Sequence, residues 1–447
     1  MTSNPGQGAR FSRRESSERG LNRLLLILIP LTVIAAVLFF LSVGVTGKAD
    51  IFYVHWLGYR LFEPSAAQAA IAAHADLAAG EAYEIVRREA SATNYPVISL
   101  SSYFFAQLTG GLTQAVLAAH TAAFLLGLAI AMVGFCRARS LVAPVALTVS
   151  VMALAALPVG PSPSDHLMIH PSPLHNLINL GVLVLSPGEA FSPLGFWPKS
   201  SLALVMLAAL SLRWAGQARW AYVLLFTTMA FHISLGGLLL AAFLMMDLLM
   251  RPRQVDYRLI VPMAVAGLLL FSLSQWRILA DTNAGWFFAG VVTVGVVACR
   301  LASRWVAPRM GQIPVWKSDS FTAAIATIVL VPTAMVAYAI SATDNPWGPQ
   351  SVYLQLAARM IVLAFSVVLL GLSCAAVNWL HARHAVWSVA PVVVTALIVV
   401  GYGAAGSWWW QARTLEGRMH PSVERQNADP VTAMYYNAVR DLQKANP

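Results

Sequence analysis

Charged side chains are scarce in this sequence. Only 11% of the 447 residues are Asp, Glu, Lys or Arg, whereas 58% are hydrophobic. A soluble domain carries roughly 25% charged residues, so the composition excludes a water-exposed exterior over most of the chain. The formal net charge is +10, but most cations lie in short connections between apolar runs, where membrane proteins place their topological anchors. A nucleic-acid partner is therefore not expected.

Cysteines are few, and the common catalytic motifs are missing. Cys136, Cys299 and Cys374 are far apart and lie inside or at the ends of apolar runs, so no disulfide framework is predicted. The sequence contains no Walker loop, dinucleotide fingerprint, GxSxG or HExxH motif. These absences argue against ATP hydrolysis, hydride transfer and serine hydrolysis within the chain.

Long apolar runs dominate what is present. A membrane-spanning helix needs roughly 20 apolar residues, and such runs recur from residue 24 to residue 404. The first run follows a basic stretch and is too long for a signal-peptide core, which indicates an uncleaved anchor. We predict an all-α, polytopic integral membrane protein with about 11 transmembrane helices. The predicted spans are 24–46, 112–135, 140–158, 200–212, 219–232, 235–250, 259–275, 284–300, 320–341, 355–379 and 386–404.

The apolar segment 220–250 decides the topology. It is about 31 residues long, too long for one span, and His232, Ser234, Gly236 and Gly237 indicate a tight turn in its middle. Arginines flank both of its ends, so both flanks are expected in the cytoplasm and an even number of crossings fits. The N-terminus is then cytoplasmic, the C-terminus is extracytoplasmic, and 17 of the 29 Lys and Arg residues lie on the cytoplasmic side. We expect a multi-pass protein of the bacterial inner (cytoplasmic) membrane.

Polar segments outside the membrane complete the predicted organisation. The transmembrane domain covers residues 1–405, and its first extracytoplasmic loop, 47–110, has helices lying on the membrane surface. A second extracytoplasmic loop, 159–199, contains a partly inserted segment, and residues 406–447 form an extracytoplasmic tail. Residues able to do chemistry therefore collect on the outer side.

The densest polar cluster lies in the second outer loop. Asp165, His166, His170 and His175 fall within eleven residues, between prolines that stiffen the backbone. Imidazole and carboxylate groups bind metals and transfer protons, so one interpretation is a divalent metal site held by the three histidines. The other is a polar loop whose histidines meet lipid headgroups, and the spacing matches no standard zinc pattern.

An acid follows the first predicted span directly. Asp50 stands with His55 at the height where a lipid-linked substrate would present its headgroup. It is a candidate base, as Asp165 is, or else a solvated interfacial carboxylate. Three outward cations, Arg60, Lys199 and Arg277, could hold a phosphate, or could be ordinary interfacial anchors.

This layout resembles the GT-C superfamily of membrane glycosyltransferases, which includes protein O-mannosyltransferases and lipid A aminoarabinose transferases. The likeness covers roughly residues 24–215 and consists of four features. These are the anchor helix followed by Asp50, the long outer loop ending in YPVISLSSYFF (95–105), the helix pair joined by the basic turn 137–139, and the polar segment 165–176. Asp50 stands alone where many of the family have two neighbouring acids.

The resemblance implies transfer of a sugar from a polyprenyl-phosphate donor to an extracytoplasmic glycan or lipid acceptor, with inversion at the anomeric carbon. One carboxylate would take the proton of the acceptor hydroxyl, and fixed cations or a divalent metal would stabilise the departing phosphate. The expected partners are this lipid-linked donor and membrane lipids. Three alternatives stay open: a transporter or flippase of lipid-linked saccharides, a polysaccharide polymerase or ligase, and a non-catalytic assembly protein.

Overall fold

Helices make up all of the regular secondary structure in the described part of the chain, which confirms the all-α prediction for those residues. The computed structural model describes residues 23–24, 26–27, 69, 104, 107–108, 126–155, 198–231, 233–267, 269, 283–310, 313–340 and 350–383. The helices are Leu126–Arg137 (α1), Val142–Ala155 (α2, after a 3-10 turn at Arg139–Leu141), Pro198–Trp214 (α3), Ala218–Phe231 (α4), Ile233–Met250 (α5), Tyr257–Gly267 (α6), Asn283–Met310 (α7), Val315–Ile340 (α8) and Gln350–Arg383 (α9).

Helix α3 is the centre of the core. All residues from Leu204 to Leu212 are buried, so this helix is covered on every side, as expected of a helix that is apolar all round. Helix α4 packs on α3 and also on α5, which contacts α7, and α8 packs along α9. One continuous cluster of buried side chains joins α1 to α5 with α8 and α9.

The segment 220–250 forms two helices that pack side by side, α4 ending at Phe231 and α5 beginning at Ile233, so three of the four predicted turn residues (Ser234, Gly236 and Gly237) lie in α5. Near the open end, the Tyr222 hydroxyl donates to Asp247 over 2.5 Å. In the first turn of α5, a Cβ on Gly236 would stand 2.5 Å from the backbone nitrogen of Met229. Glycine is therefore required there, because any side chain would push the two helices apart.

The helix pair predicted around residue 138 is present, but it is strongly bent. The chain direction changes by 103° between Leu126–Arg137 and Arg139–Val149. Helix α2 therefore leaves α1 and packs against α9, where the Thr148 hydroxyl donates to the Ser373 hydroxyl over 3.0 Å. Helix α1 approaches α3 instead, and a Cβ on Gly134 would stand 2.7 Å from that of Ala208.

Side-chain contacts bring several basic connections to one end of the bundle. Arg213, in the last turn of α3, forms ion pairs with Asp247 at the end of α5 and with Asp319 near the start of α8. Arg219 pairs with Asp256, and the Arg137 guanidinium lies 3.9 Å above the Trp220 ring. We call this the cationic end, and it includes Arg137, Arg139, Arg213, Arg219, Arg251, Arg253, Arg258, Arg309 and Lys317.

The outer surface of helices α6 to α9 is apolar. Val294 is 66% exposed, Ile328 is 70% exposed and Trp305 is 67% exposed. By length and composition, one helix among the described residues, Gly290–Met310, could cross a membrane, and only 6% of its apolar window is buried. The bent pair Leu126–Arg137 and Arg139–Val149 is a second candidate if it is counted as one span.

Candidate functional site

The sequence-predicted site residues lie almost entirely outside the described residues. Lys199 lies in the first turn of α3, where the structure describes the backbone but not the side chain. The others fall outside the described part of the chain: Asp50, His55, Arg60, Asp165, His166, His170, His175 and Arg277. Whether the two acids, the histidines and the cations meet around one outward cavity therefore stays a prediction.

A different polar cluster lies at the cationic end, between α3, α5 and α8. Its centre is Arg213, whose side chain is 1% exposed. The Arg213 Nε and Nη2 donate to the two carboxylate oxygens of Asp319 over 2.7 and 3.2 Å. The remaining nitrogen, Nη1, lies 2.6 Å from a carboxylate oxygen of Asp247. One guanidinium thus binds two carboxylates at once, which its planar fork permits and a lysine ammonium does not.

Donors occupy the hydrogen-bond acceptor positions of the Asp319 carboxylate. Its Oδ2 accepts from Arg213 and from the indole Nε1 of Trp214 at 2.6 Å, and its Oδ1 accepts from Arg213 and from Arg251 Nη2 at 3.1 Å. An ionised carboxylate offers about four lone-pair positions, and four donors occupy them here. With a side chain that is 0% exposed, Asp319 is not available as a base for a substrate.

Arg251 and Tyr222 complete the cluster. Arg251 Nη2 also donates to the Ser318 hydroxyl over 3.2 Å, and Arg251 Nη1 lies 3.7 Å from Asp247. Tyr222 donates its hydroxyl to the same Asp247. The ionic network, as we call Arg213, Asp247, Arg251 and Asp319, therefore contains two cations and two anions and is electrically neutral.

Helix geometry explains why these four charges tolerate burial. Arg213 lies in the last turn of α3 and Arg251 directly follows α5, where the negative end of a helix dipole favours cations. Asp319 lies in the second turn of α8, near the positive end of that dipole. Asp247 is at the disfavoured end of α5, and the two arginines offset this. The network therefore fixes the ends of three helices relative to one another.

Interactions around the network are exposed and weaker. The Arg219 side chain is 78% exposed where it pairs with Asp256 at 2.9 Å, and such surface pairs contribute about 0–1 kcal/mol. Among the described residues, no group of three or more His, Cys, Asp or Glu side chains could hold a metal ion. In chemical terms, the described cluster can couple helix positions but does not form a metal centre.

The ionic network was not predicted from the sequence. Arg213 and Arg251 are among the arginines flanking segment 220–250 that the sequence indicates as topological anchors, and that description is incomplete because both side chains are largely buried. Asp319 stands one residue before the predicted span 320–341. One feature of the sequence could have indicated the network. Three predicted spans carry charges of opposite sign at their cytoplasmic ends, and charges that become buried there are expected to pair.

Comparison of the chain with protein-family models, with curated proteins and with solved structures finds no match in any of the three.

Proposed function

We propose that this chain is a multi-pass protein of the bacterial inner membrane, with about 11 spans, that transfers a sugar from a polyprenyl-phosphate donor to an extracytoplasmic glycan or lipid. The observation that carries the membrane location is the exposed apolar surface around a buried core. Val294, Trp305 and Ile328 are each about two-thirds exposed. Soluble proteins rarely leave a contiguous apolar surface in water, whereas lipid covers it at no cost.

The cationic end supports the orientation. Four connections that the sequence assigns to the cytoplasm contribute side chains or helix ends to this one end of the bundle. Because cytoplasmic connections are enriched in Lys and Arg, we place the cationic end in the cytoplasm. Asp50 and Asp165 then belong to the opposite, outer side, where a lipid-linked sugar donor would present its phosphate.

The proposed chemistry uses few groups. Asp50 takes the proton of the acceptor hydroxyl as the oxygen attacks the anomeric carbon, and the bond to the phosphate breaks. Cations on the same side stabilise the charge on the departing polyprenyl phosphate. The other roles are those of the sequence prediction: Asp165 is the second candidate catalytic carboxylate, Arg60, Lys199, Arg277 and His55 bind the substrate, and His166, His170 and His175 bind the metal.

The decisive test is Asp50→Asn. Asparagine keeps the size and polarity but cannot accept the proton, and a positioned base typically contributes about 100-fold to 10,000-fold. We expect the variant to insert normally and to bind the lipid-linked donor, yet to lose sugar transfer in a complementation assay. Asp256→Asn is the matched control, because it removes a partly exposed carboxylate at the cationic end. Full complementation by Asp50→Asn would refute the assignment.

One observation favours the transporter or flippase alternative. The ionic network joins α3, α5 and α8 at the end assigned to the cytoplasm, and a transporter could open and close that end by breaking it. A transporter moves its substrate without changing the substrate's mass, whereas a transferase or a polymerase changes it. Mass spectrometry of the lipid-linked saccharide before and after incubation with reconstituted protein distinguishes these classes.

A further inference from the structure

Helix α7 is longer than the membrane requires. Its 28 residues extend about 42 Å at 1.5 Å per residue, whereas the hydrocarbon core is about 30 Å thick. About two turns therefore lie beyond the core, and the chain continues from Met310 towards α8 at the cationic end. The last two turns of α7, from about residue 303 to Met310, are thus at the level of the lipid headgroups, and Arg300, one turn deeper, can extend its side chain to the same level.

The exposed face of these turns combines cations with apolar side chains. Arg300, Arg304 and Arg309 are exposed, as are Leu301 and Trp305. At 3.6 residues per turn, Arg300, Arg304 and Leu301 lie on one side of the helix, whereas Arg309 lies beyond Trp305, half a turn round the helix from Arg300. Helical spacing places Val297 one turn further back, and this side chain is also exposed. We call Arg300, Leu301, Arg304, Trp305 and Arg309 the α7 face.

No described acid neutralises the α7 face. The ion pairs among the described residues involve the ionic network and Arg219 with Asp256, and none reaches Arg300, Arg304 or Arg309. Arg300 makes a local hydrogen bond of 3.3 Å to Ser303, which leaves its charge unbalanced by any described carboxylate. Three positive charges beside an apolar surface thus lack a protein counter-charge in this part of the chain.

We propose that the α7 face binds an anionic glycerophospholipid of the inner leaflet, an inference that rests on the proposed membrane location. The phosphate group pairs with Arg300 and Arg304, which are one turn apart, the acyl chains lie along Val297 and Leu301, and Trp305 occupies the boundary between them. The charge complementarity selects this partner, because a second copy of the chain would bring a second set of cations to the same surface. A neutral lipid would satisfy the apolar stripe alone.

The test measures lipid binding by native mass spectrometry of the full-length protein, titrated in detergent with phosphatidylglycerol or phosphatidylcholine. The key variant is Arg300→Gln/Arg304→Gln/Arg309→Gln. The matched control is Arg139→Gln/Arg253→Gln/Arg258→Gln, which removes the same charge from exposed positions at the same end. We expect the wild type and the control to prefer phosphatidylglycerol, and the key variant to lose about fivefold in affinity for each arginine that contacts the phosphate.

Three results would overturn the proposal: equal binding of both lipids by the wild type, equal losses in the two triple variants, or displacement of phosphatidylglycerol by a stoichiometric amount of polyprenyl phosphate. Arg304→Gln alone is the second variant if the triple variant aggregates, with an expected loss of about fivefold. Alkaline extraction of membranes reports insertion separately. A protein that stays in the membrane but shows no lipid preference refutes this inference and leaves the proposed function standing.

Discussion

Replacing Asp319 by Asn tests the structural reasoning most directly. The substitution keeps the shape of the side chain but removes one of the two anions of the ionic network, so the cluster gains a net charge of +1. Only one oxygen remains to accept from Arg213, Trp214 and Arg251, and the new amide N–H₂ faces donors. Breaking a buried ion pair from one side costs about 3–5 kcal/mol, a large part of the roughly 5–15 kcal/mol that holds a protein folded.

The assay is equilibrium unfolding of the purified protein in mixed detergent micelles, followed by far-UV circular dichroism. Asp256→Asn is the control, because its partner Arg219 is mostly exposed and the expected loss is about 0–1 kcal/mol. The double variant Arg213→Met/Asp319→Leu removes one charge of each sign and leaves Asp247 facing Arg251. It should lose less stability than the sum of its single variants. Equal stabilities of Asp319→Asn and Asp256→Asn would refute the account of the network.

Three further predictions concern topology, the outer loop and helix packing. A reporter that is active only in the periplasm should give activity after Pro447 and none after Arg309, and activity after Arg309 would overturn the even number of crossings in segment 220–250. Replacing His166, His170 and His175 together by alanine should reduce function without reducing the protein level. Normal function of this variant would show that these histidines only contact the membrane interface. Gly134→Ala should lose about 1–3 kcal/mol in the unfolding assay because its Cβ would meet Ala208, whereas Gly290→Ala meets nothing within 4 Å and should lose none.

Within the described residues, the presence of the helices was predictable from the sequence, but their ends were not. The predicted span 284–300 is part of a helix that ends at Met310, and the span 355–379 is part of Gln350–Arg383. The predicted ends follow the apolar run, which is the part of a helix that lipid or the protein core covers. The helix itself continues into polar sequence until a residue interrupts its backbone hydrogen bonds. The pair of helices in segment 220–250 was predictable because the flanking charges and the turn residues pointed to the same solution.

The association within the ionic network could not be derived in the same way. Arg213 and Asp319 are separated by 106 positions, and their pairing depends on which helices become neighbours in the bundle. A sequence without that information assigns each charge to its local connection. The predicted outer site depends on the same kind of information, because Asp50 and Asp165 lie in different loops, so their proximity stays a prediction.

Burial divides the arginines that the sequence assigns to the cytoplasmic side into two groups that the charge rule treats as equivalent. Arg213 is enclosed by two carboxylates and Trp214, so its loss exposes other buried charges and acts on the free energy of unfolding. Arg304 is exposed beside an apolar stripe, so its loss acts on contact with lipid and costs little folding energy. Orientation in the membrane depends on the sum of such charges, and therefore changes little with either substitution. A phenotype from Arg213 should consequently follow protein stability, whereas one from Arg304 should follow lipid composition.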